Sequence, residues 1–141
     1  DGGLAHERIV RSSRPVAALL MQQDVVAGVG NVYRAELLFR HGVDPYLPGR
    51  LVDRARWDAM WSDLCALMRV GVRRGRIDTT RPEHTPRAMG RPPRQDRHGG
   101  DVYVYRRAGE PCYVCGTEIR VAELEARNLF WCPGCQPSGR G

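Results

Sequence analysis

Four of the five cysteines stand in two close pairs near the end of the chain, and they constrain its fold more than any other feature. The pairs are two C-x2-C motifs separated by 16 residues: Cys112 and Cys115, then Cys132 and Cys135. Glycine or proline lies in or directly after each pair, which favours two tight turns that offer four thiolates to one tetrahedral ion. We therefore predict one structural zinc ion bound by these four residues. The alternative, two disulfides in a secreted domain, leaves Cys65 over.

The residues around the cysteine pairs predict a small β ribbon. β-Branched and aromatic side chains favour short strands over residues 102–105, 117–121 and 129–131. A ribbon of this size has little core, so we expect the metal to supply much of its folding free energy. Arg127 and Asn128 fall at the expected turn before the last strand. This position makes Arg127 a candidate contact for an anion, and the alternative is a solvated arginine.

Composition limits the partners and the chemistry. The 141 residues carry a formal charge of +6, which stays positive, at about +4, once four thiolates bind a divalent zinc ion. An anionic partner such as nucleic acid is compatible with this charge. All 22 basic side chains are arginine, so no lysine is available for Schiff-base catalysis.

The chain has no recognisable membrane or export signal. No apolar run approaches the roughly 20 residues of a membrane span, and no charged segment followed by an apolar one opens the sequence. We expect no membrane partner. Because the sequence begins with Asp1 instead of methionine, we expect a fragment or a processed product.

Two helices are predicted on either side of a glycine-rich corner. The first follows Ser13 and ends near Gln23, and the second has apolar residues at helical spacing from Asn31 onwards. Gly28 and Gly30 interrupt any helix between them. The exposed amides at the start of the second helix form a candidate phosphate site, to which Asn31 adds a side-chain donor. The alternative is an ordinary helix–helix corner with Asn31 as the cap.

A longer helix and a basic segment follow. From Asp53 onwards, apolar residues at helical spacing predict a helix whose buried face includes Cys65 as a small apolar side chain. Residues 73–100 contain eight arginines and four prolines but almost no apolar residues, so we predict a linker or a mobile loop. Residues 1–14 are interpreted as a polar leader into the first helix.

Two motifs in this order resemble a known family of DNA-repair enzymes. Residues 24–39 (DVVAGVGNVYRAELLF) and 42–45 (GVDP) resemble the helix-two-turn-helix of formamidopyrimidine-DNA glycosylase and endonuclease VIII. Residues 104–116 (VYRRAGEPCYVCG) and 130–136 (FWCPGCQ) resemble the zinc finger of the same family. The WCPGCQ ending is more similar to endonuclease VIII, which favours oxidised pyrimidines. Residues 73–100 contain no counterpart of the loop with which the purine-directed enzymes grip 8-oxoguanine.

The resemblance implies roles for three residues and the absence of others. Asn31 and the backbone around Gly30 are expected to contact DNA phosphates, and Arg127 matches an arginine that the family places on phosphates beside the lesion. In the family, a separate N-terminal β sandwich supplies a proline nucleophile and a glutamate acid. That half is not in this sequence, so we predict no catalytic residue in this chain.

The predicted fold is mostly α, a helix-two-turn-helix domain followed by a small β-hairpin four-cysteine zinc ribbon. The expected boundaries are residues 1–72 for the helical domain, 73–100 for the linker or loop, 101–136 for the ribbon and 137–141 for a tail. We predict the DNA-binding half of a bifunctional glycosylase and abasic-site lyase, monomeric, cytoplasmic and associated with a bacterial nucleoid. Its partner would be double-stranded DNA with damaged bases or abasic sites. The alternative is a stand-alone zinc-ribbon adaptor for nucleic acid without catalysis.

Overall fold

The computed structural model describes residues 2–22, 29–94 and 100–138. In this part of the chain there are five α-helices, two 3-10 turns and one antiparallel hairpin. The helices are α1 (Gly2–Ile9), α2 (Val16–Leu19), α3 (Asn31–Arg40), α4 (Arg54–Arg74) and α5 (Pro86–Met89). The strands are β1 (Arg120–Leu124) and β2 (Arg127–Trp131). The prediction of a mostly helical fold with a β hairpin is confirmed.

Helix α4 begins and ends where sequence signals place its ends. The Asp53 carboxylate accepts a hydrogen bond of 2.7 Å from the Arg56 amide, which caps the first turn. At the other end Gly75 takes a left-handed conformation, with φ of 69°. Trp57, along with Met60 and Leu64, is buried on the face that the apolar spacing predicts.

Helix α3 lies between two apolar clusters and is the centre of the fold. All six residues from position 34 to position 39 are buried. Leu37 and Leu38 pack into a cluster built mainly by α1, α2 and α4, to which Leu129 of the hairpin also belongs. Ala35 and Phe39 pack into a second cluster with the ribbon. The ribbon therefore shares its core with the helical part instead of depending on its own side chains alone.

The N-terminal segment forms a packed helix, and the expectation of a polar leader is wrong. Helix α1 lies on α4, where the Trp57 indole donates a hydrogen bond of 2.7 Å to the Gly2 carbonyl. His6 Nε2 lies 2.9 Å from the Val52 carbonyl oxygen. These two polar contacts fix the helix beside apolar contacts made by Ala5 and Ile9. Alternating small and polar residues concealed this helix in the sequence.

The glycine-rich corner is described only in part. Helix α2 ends at Leu19, so the predicted end near Gln23 is wrong. Residues 23–28, which include Gly28, lie outside the described residues. Helix α3 does start at the predicted place, but Gly30 is its N-cap and Asn31 is its first residue. The prediction of Asn31 as the cap is wrong, because its side chain bonds to the hairpin instead of to the helix amides.

The basic segment is held by polar contacts over its described residues, 73–94 and 100. Arg91 forms an ion pair of 2.7 Å with Asp101, and His84 Nδ1 lies 2.7 Å from the Tyr103 hydroxyl. The Thr79 hydroxyl donates to Glu36 of α3. Hydrogen bonds thus take the place of an apolar core here, and the predicted domain boundaries stay a prediction.

The ribbon differs from its prediction in three places. The strand predicted over residues 117–121 is shifted to Arg120–Leu124. Residues 102–105 form a bend and a turn instead of a strand, because their amides bond to a carboxylate of α3 rather than to a neighbouring strand. The hairpin turn consists of Glu125 and Ala126, so Arg127 opens strand β2. Both turn residues have positive φ, 49° and 68°, as a two-residue hairpin loop requires. No helix in the described part has the length and apolar character to cross a membrane.

Candidate metal centre and nucleic-acid interface

The four paired cysteines converge on one point. Their sulfur atoms all lie within 4.8 Å of one another: Cys112, Cys115, Cys132 and Cys135. The two cross-pair distances are 3.8 Å between Cys112 and Cys135 and 3.4 Å between Cys115 and Cys132. Both exceed the roughly 2.05 Å of a disulfide. A tetrahedral zinc ion with Zn–S bonds of about 2.3 Å needs sulfurs about 3.8 Å apart, so the arrangement fits one zinc ion and not two disulfides.

The surroundings of these thiols shift their pKa values in different directions. Burial raises the pKa of Cys132 to about 11 with a contribution from the neighbouring sulfurs, although hydrogen bonds from nearby backbone amides act in the opposite direction. Burial and the adjacent sulfurs likewise raise the pKa of Cys135. The exposed Cys115 differs, because its contact with the Thr117 hydroxyl lowers its pKa to about 6. Four thiolates at this distance repel one another, and a divalent ion at their centre removes that repulsion.

The second cysteine turn is anchored to the helical part by a buried glutamine. Gln136 accepts a hydrogen bond of 2.9 Å from the Cys132 amide and donates one of 3.0 Å to the Val43 carbonyl. Val43 follows the C-terminal end of α3. Gln136 therefore connects the second cysteine pair to the segment that follows α3.

The hairpin brings Arg127 to the start of α3. The Asn31 amide group donates a hydrogen bond of 2.9 Å to the Asn128 carbonyl oxygen. Arg127 is the next residue back along β2 and is exposed. Residues that are 96 positions apart in the sequence thus form one surface, named here the α3–β2 surface: Gly30, Asn31 and Arg127.

The start of α3 is open at Gly30 on this surface. Gly30 is exposed, and no described atom lies within 4 Å of the position that a Cβ would occupy there. Among the described residues, no side chain caps the helix. An uncapped helix start has a partial positive charge and free amide donors, which suit a phosphate group.

Further arginines surround the hairpin turn. Arg14 binds the Glu125 carboxylate with one nitrogen 2.5 Å from both oxygens. Arg34 of α3 is buried, and its Nη1 donates a hydrogen bond of 2.8 Å to the Ala17 carbonyl. Burial lowers the pKa of Arg34, and the charge of Arg127 lowers it further. The positive charge of this region therefore exceeds what the single carboxylate of Glu125 balances.

Glu36 organises the other side of α3. Its buried carboxylate accepts hydrogen bonds of 2.7, 2.8 and 3.0 Å from three consecutive amides, those of Tyr103, Val104 and Tyr105. The Thr79 hydroxyl is a fourth donor. This single side chain joins α3 both to Thr79 of the basic segment and to residues 103–105, which follow that segment. The sequence offered one signal for Glu36 and Arg34: apolar residues on more than one face of α3, which indicates a helix buried on both sides.

Family models match both parts of the chain. The formamidopyrimidine-DNA glycosylase H2TH domain matches residues 2–83. The chain belongs to the formamidopyrimidine-DNA glycosylase family. The zinc finger found in formamidopyrimidine-DNA glycosylase and isoleucyl-tRNA synthetase matches residues 109–137. This second match agrees with the four-cysteine site.

Relatives in this family share much of the sequence. Endonuclease 8 1 of Mycobacterium tuberculosis is 58% identical over 132 residues, which cover 94% of this chain and 48% of that protein. The formamidopyrimidine-DNA glycosylase of Parasynechococcus marenigrum is 36% identical over 129 residues, which cover 92% of this chain and 44% of the relative. The chain spans about half the length of the curated relatives it matches.

Solved structures of the glycosylase family have the same fold. MutM (Fpg) of Thermus thermophilus superposes with a TM-score of 0.72 and 27% identity, and the match covers 99% of this chain and 51% of that one. A Lactococcus lactis Fpg in complex with abasic-site DNA gives a TM-score of 0.74 at 21% identity, over 98% of this chain and 48% of that one. The second likeness, at this identity, supports the fold alone.

Proposed function

We propose that this chain binds the phosphate backbone of double-stranded DNA through the α3–β2 surface. The observation that carries the proposal is the hydrogen bond between Asn31 and the Asn128 carbonyl, because it places the start of α3 beside Arg127. A helix start and an exposed arginine are two phosphate ligands of different kinds. Because the helix start and the arginine lie on one surface, they support a contact with the backbone of one DNA strand.

The whole protein, on this proposal, is a bifunctional DNA glycosylase and abasic-site lyase that acts on oxidised bases. Pyrimidine lesions are the proposed substrates, supported by the 58% identity with a protein named endonuclease 8. The chain grips phosphates around a nucleotide flipped out of the duplex, while residues outside this sequence supply the nucleophile. We propose a monomer in a bacterial cytoplasm.

Single substitutions on the α3–β2 surface test the binding proposal. Asn31→Ala and Arg127→Ala should each weaken binding to a duplex with an abasic site by roughly 1–3 kcal/mol, because each removes a polar or charge-assisted contact. Fluorescence anisotropy with the zinc-loaded chain measures the dissociation constants. Arg56→Ala is the matched control, since Arg56 is exposed on α4 and its side chain belongs to another surface. Unchanged affinity in both test variants would refute the proposed surface.

A further inference from the structure

Two arginines of the described chain are almost completely buried, and their surroundings differ. Arg107 is 2% exposed, and each of its three guanidinium nitrogens has an acceptor: the Tyr103 and Pro111 carbonyls and the Glu110 carboxylate. Arg34 is 1% exposed, but only its Nη1 is bonded, to the Ala17 carbonyl. Its Nε and Nη2 have no hydrogen-bond partner among the described residues.

The two unpartnered nitrogens of Arg34 form one edge of the guanidinium group. Nε and Nη2 point in parallel and make a fork that matches two oxygens of a carboxylate or a phosphate. Nη1, on the far side, holds the group in place through the Ala17 carbonyl. The orientation of the fork is therefore fixed before any ligand binds, which reduces the entropy lost on binding.

The position of Arg34 connects it to the α3–β2 surface. It follows Asn31 by one helical turn, so the two side chains share a face of α3. The Asn31 side-chain oxygen is also buried without a partner among the described residues. Arg34 lies close enough to Arg127 for the two charges to interact, and Glu125 is the acidic group that opposes them. Glu125 itself is bonded to Arg14, so its one negative charge is shared with another arginine.

A buried charge without a counter-ion is costly, and native proteins seldom keep one without a use. We infer that Arg34 is a further DNA-binding residue, whose Nε–Nη2 fork binds a backbone phosphate group together with Arg127. This inference rests on the proposed function and deepens it. Because Arg34 is almost completely buried in the free protein, the phosphate reaches the fork only after the residues that cover it shift, a scale of movement that is common at interfaces.

The salt dependence of DNA binding tests the inference. The logarithm of the binding constant falls with the logarithm of salt concentration by about 0.9 for each phosphate contact. We expect Arg34→Gln to reduce the magnitude of this slope by about 0.9 and the affinity for duplex DNA by about tenfold. Arg34→Lys should keep the slope, since the charge remains, but bind less tightly, since the fork is lost. Arg56→Gln, on the exposed start of α4, should leave the slope unchanged.

The melting temperature separates the DNA-binding role of Arg34 from a purely structural one. If Arg34 serves DNA binding, Arg34→Met should keep or raise the melting temperature of the zinc-loaded free chain, because it replaces a buried charge by an apolar side chain. A purely structural role predicts a lower melting temperature. A lower melting temperature with the slope of the original chain in both Arg34→Met and Arg34→Gln would overturn the inference. If Asn31→Ala and Arg127→Ala weaken binding while Arg34→Gln keeps the full slope, this inference fails and the proposed function stands. If the unsubstituted chain binds DNA without salt dependence, the proposed function itself fails.

Discussion

At the scale of single residues, Glu36 is the side chain on which the ribbon and the basic segment depend. Glu36→Gln replaces one carboxylate oxygen by an amide group that faces backbone donors instead of accepting from them. We expect a loss of about 3 kcal/mol in the free energy of unfolding, because buried amides are left without acceptors. Chemical denaturation of the zinc-loaded chain measures it. The exposed Glu123→Gln should stay within about 0.5 kcal/mol, and equal stability of both variants would contradict this role of Glu36.

The ionisation of Asp63 should make the stability of the fold depend on pH. Burial raises its pKa, but hydrogen bonds from Arg40 and His41 outweigh burial and hold the pKa of Asp63 below its ordinary value. The ionised carboxylate therefore stabilises the fold above the unfolded pKa of about 3.9, and this contribution is lost as the pH falls through the folded pKa. The difference in unfolding free energy between the original chain and Asp63→Asn should be large at neutral pH and shrink in acid. A difference that is constant with pH would exclude this ion pair as its source.

Residue-level roles were only partly predictable from the sequence. The zinc ligands could be predicted, because the chemistry and spacing of the cysteines are specific. The roles of Glu36 and Arg34 could not be predicted, because only the tertiary structure defines their contacts. Glu36 bonds to residues 79 and 103–105, and Arg34 bonds to residue 17. Asn31 was identified as a candidate, but its bond to the hairpin required the same tertiary contacts.

At the scale of elements, the ribbon that holds the four cysteines packs against α3. The assignment of these cysteines as the zinc ligands is directly testable. Cys65→Ala should retain one zinc ion per chain, because Cys65 lies on α4 outside the four-sulfur cluster. Cys132→Ala should lose the metal and, through Gln136 and Leu129, loosen the ribbon from the helical core. Elemental analysis and near-ultraviolet circular dichroism measure both effects. Loss of zinc from Cys65→Ala with retention in Cys132→Ala would reverse the assignment.

The elements themselves show where sequence patterns succeed. Helix α4 has a capping aspartate, an apolar face and a terminal glycine, and all three signals agree. The hairpin turn has no such signals, because Glu125 and Ala126 stand where glycine or asparagine usually marks a positive φ. A left-handed conformation costs a residue of this kind roughly 1–2 kcal/mol. The bonds from Arg14 to Glu125 help to hold this turn, and a long-range contact of this kind has no local sequence signal.

At the scale of the whole molecule, α3 connects the two parts of a DNA-binding unit. Helices α3 and α4, the helical class and the metal site followed from the sequence, and the resemblance supplied the expected role of the surface. The packing of the ribbon against α3 did not follow, because composition suggested two bodies joined by a linker. Hydrogen bonds at Thr79, Arg91 and Asp101 hold that segment, and polar contacts leave no apolar periodicity in the sequence.

The central claim is that this chain grips DNA without carrying the chemistry. Borohydride trapping on a duplex with an abasic site, at chain concentrations that saturate binding, tests it most directly. Lyase chemistry requires an amine that attacks C1′ and forms an imine. Residues 1–141 contain no lysine, and when they are made alone the α-amino group at residue 1 is their one primary amine. We expect a bound complex and no covalent adduct from residues 1–141, with an adduct from the whole gene product. An efficient adduct from residues 1–141 would place the catalytic centre in this chain and contradict the account.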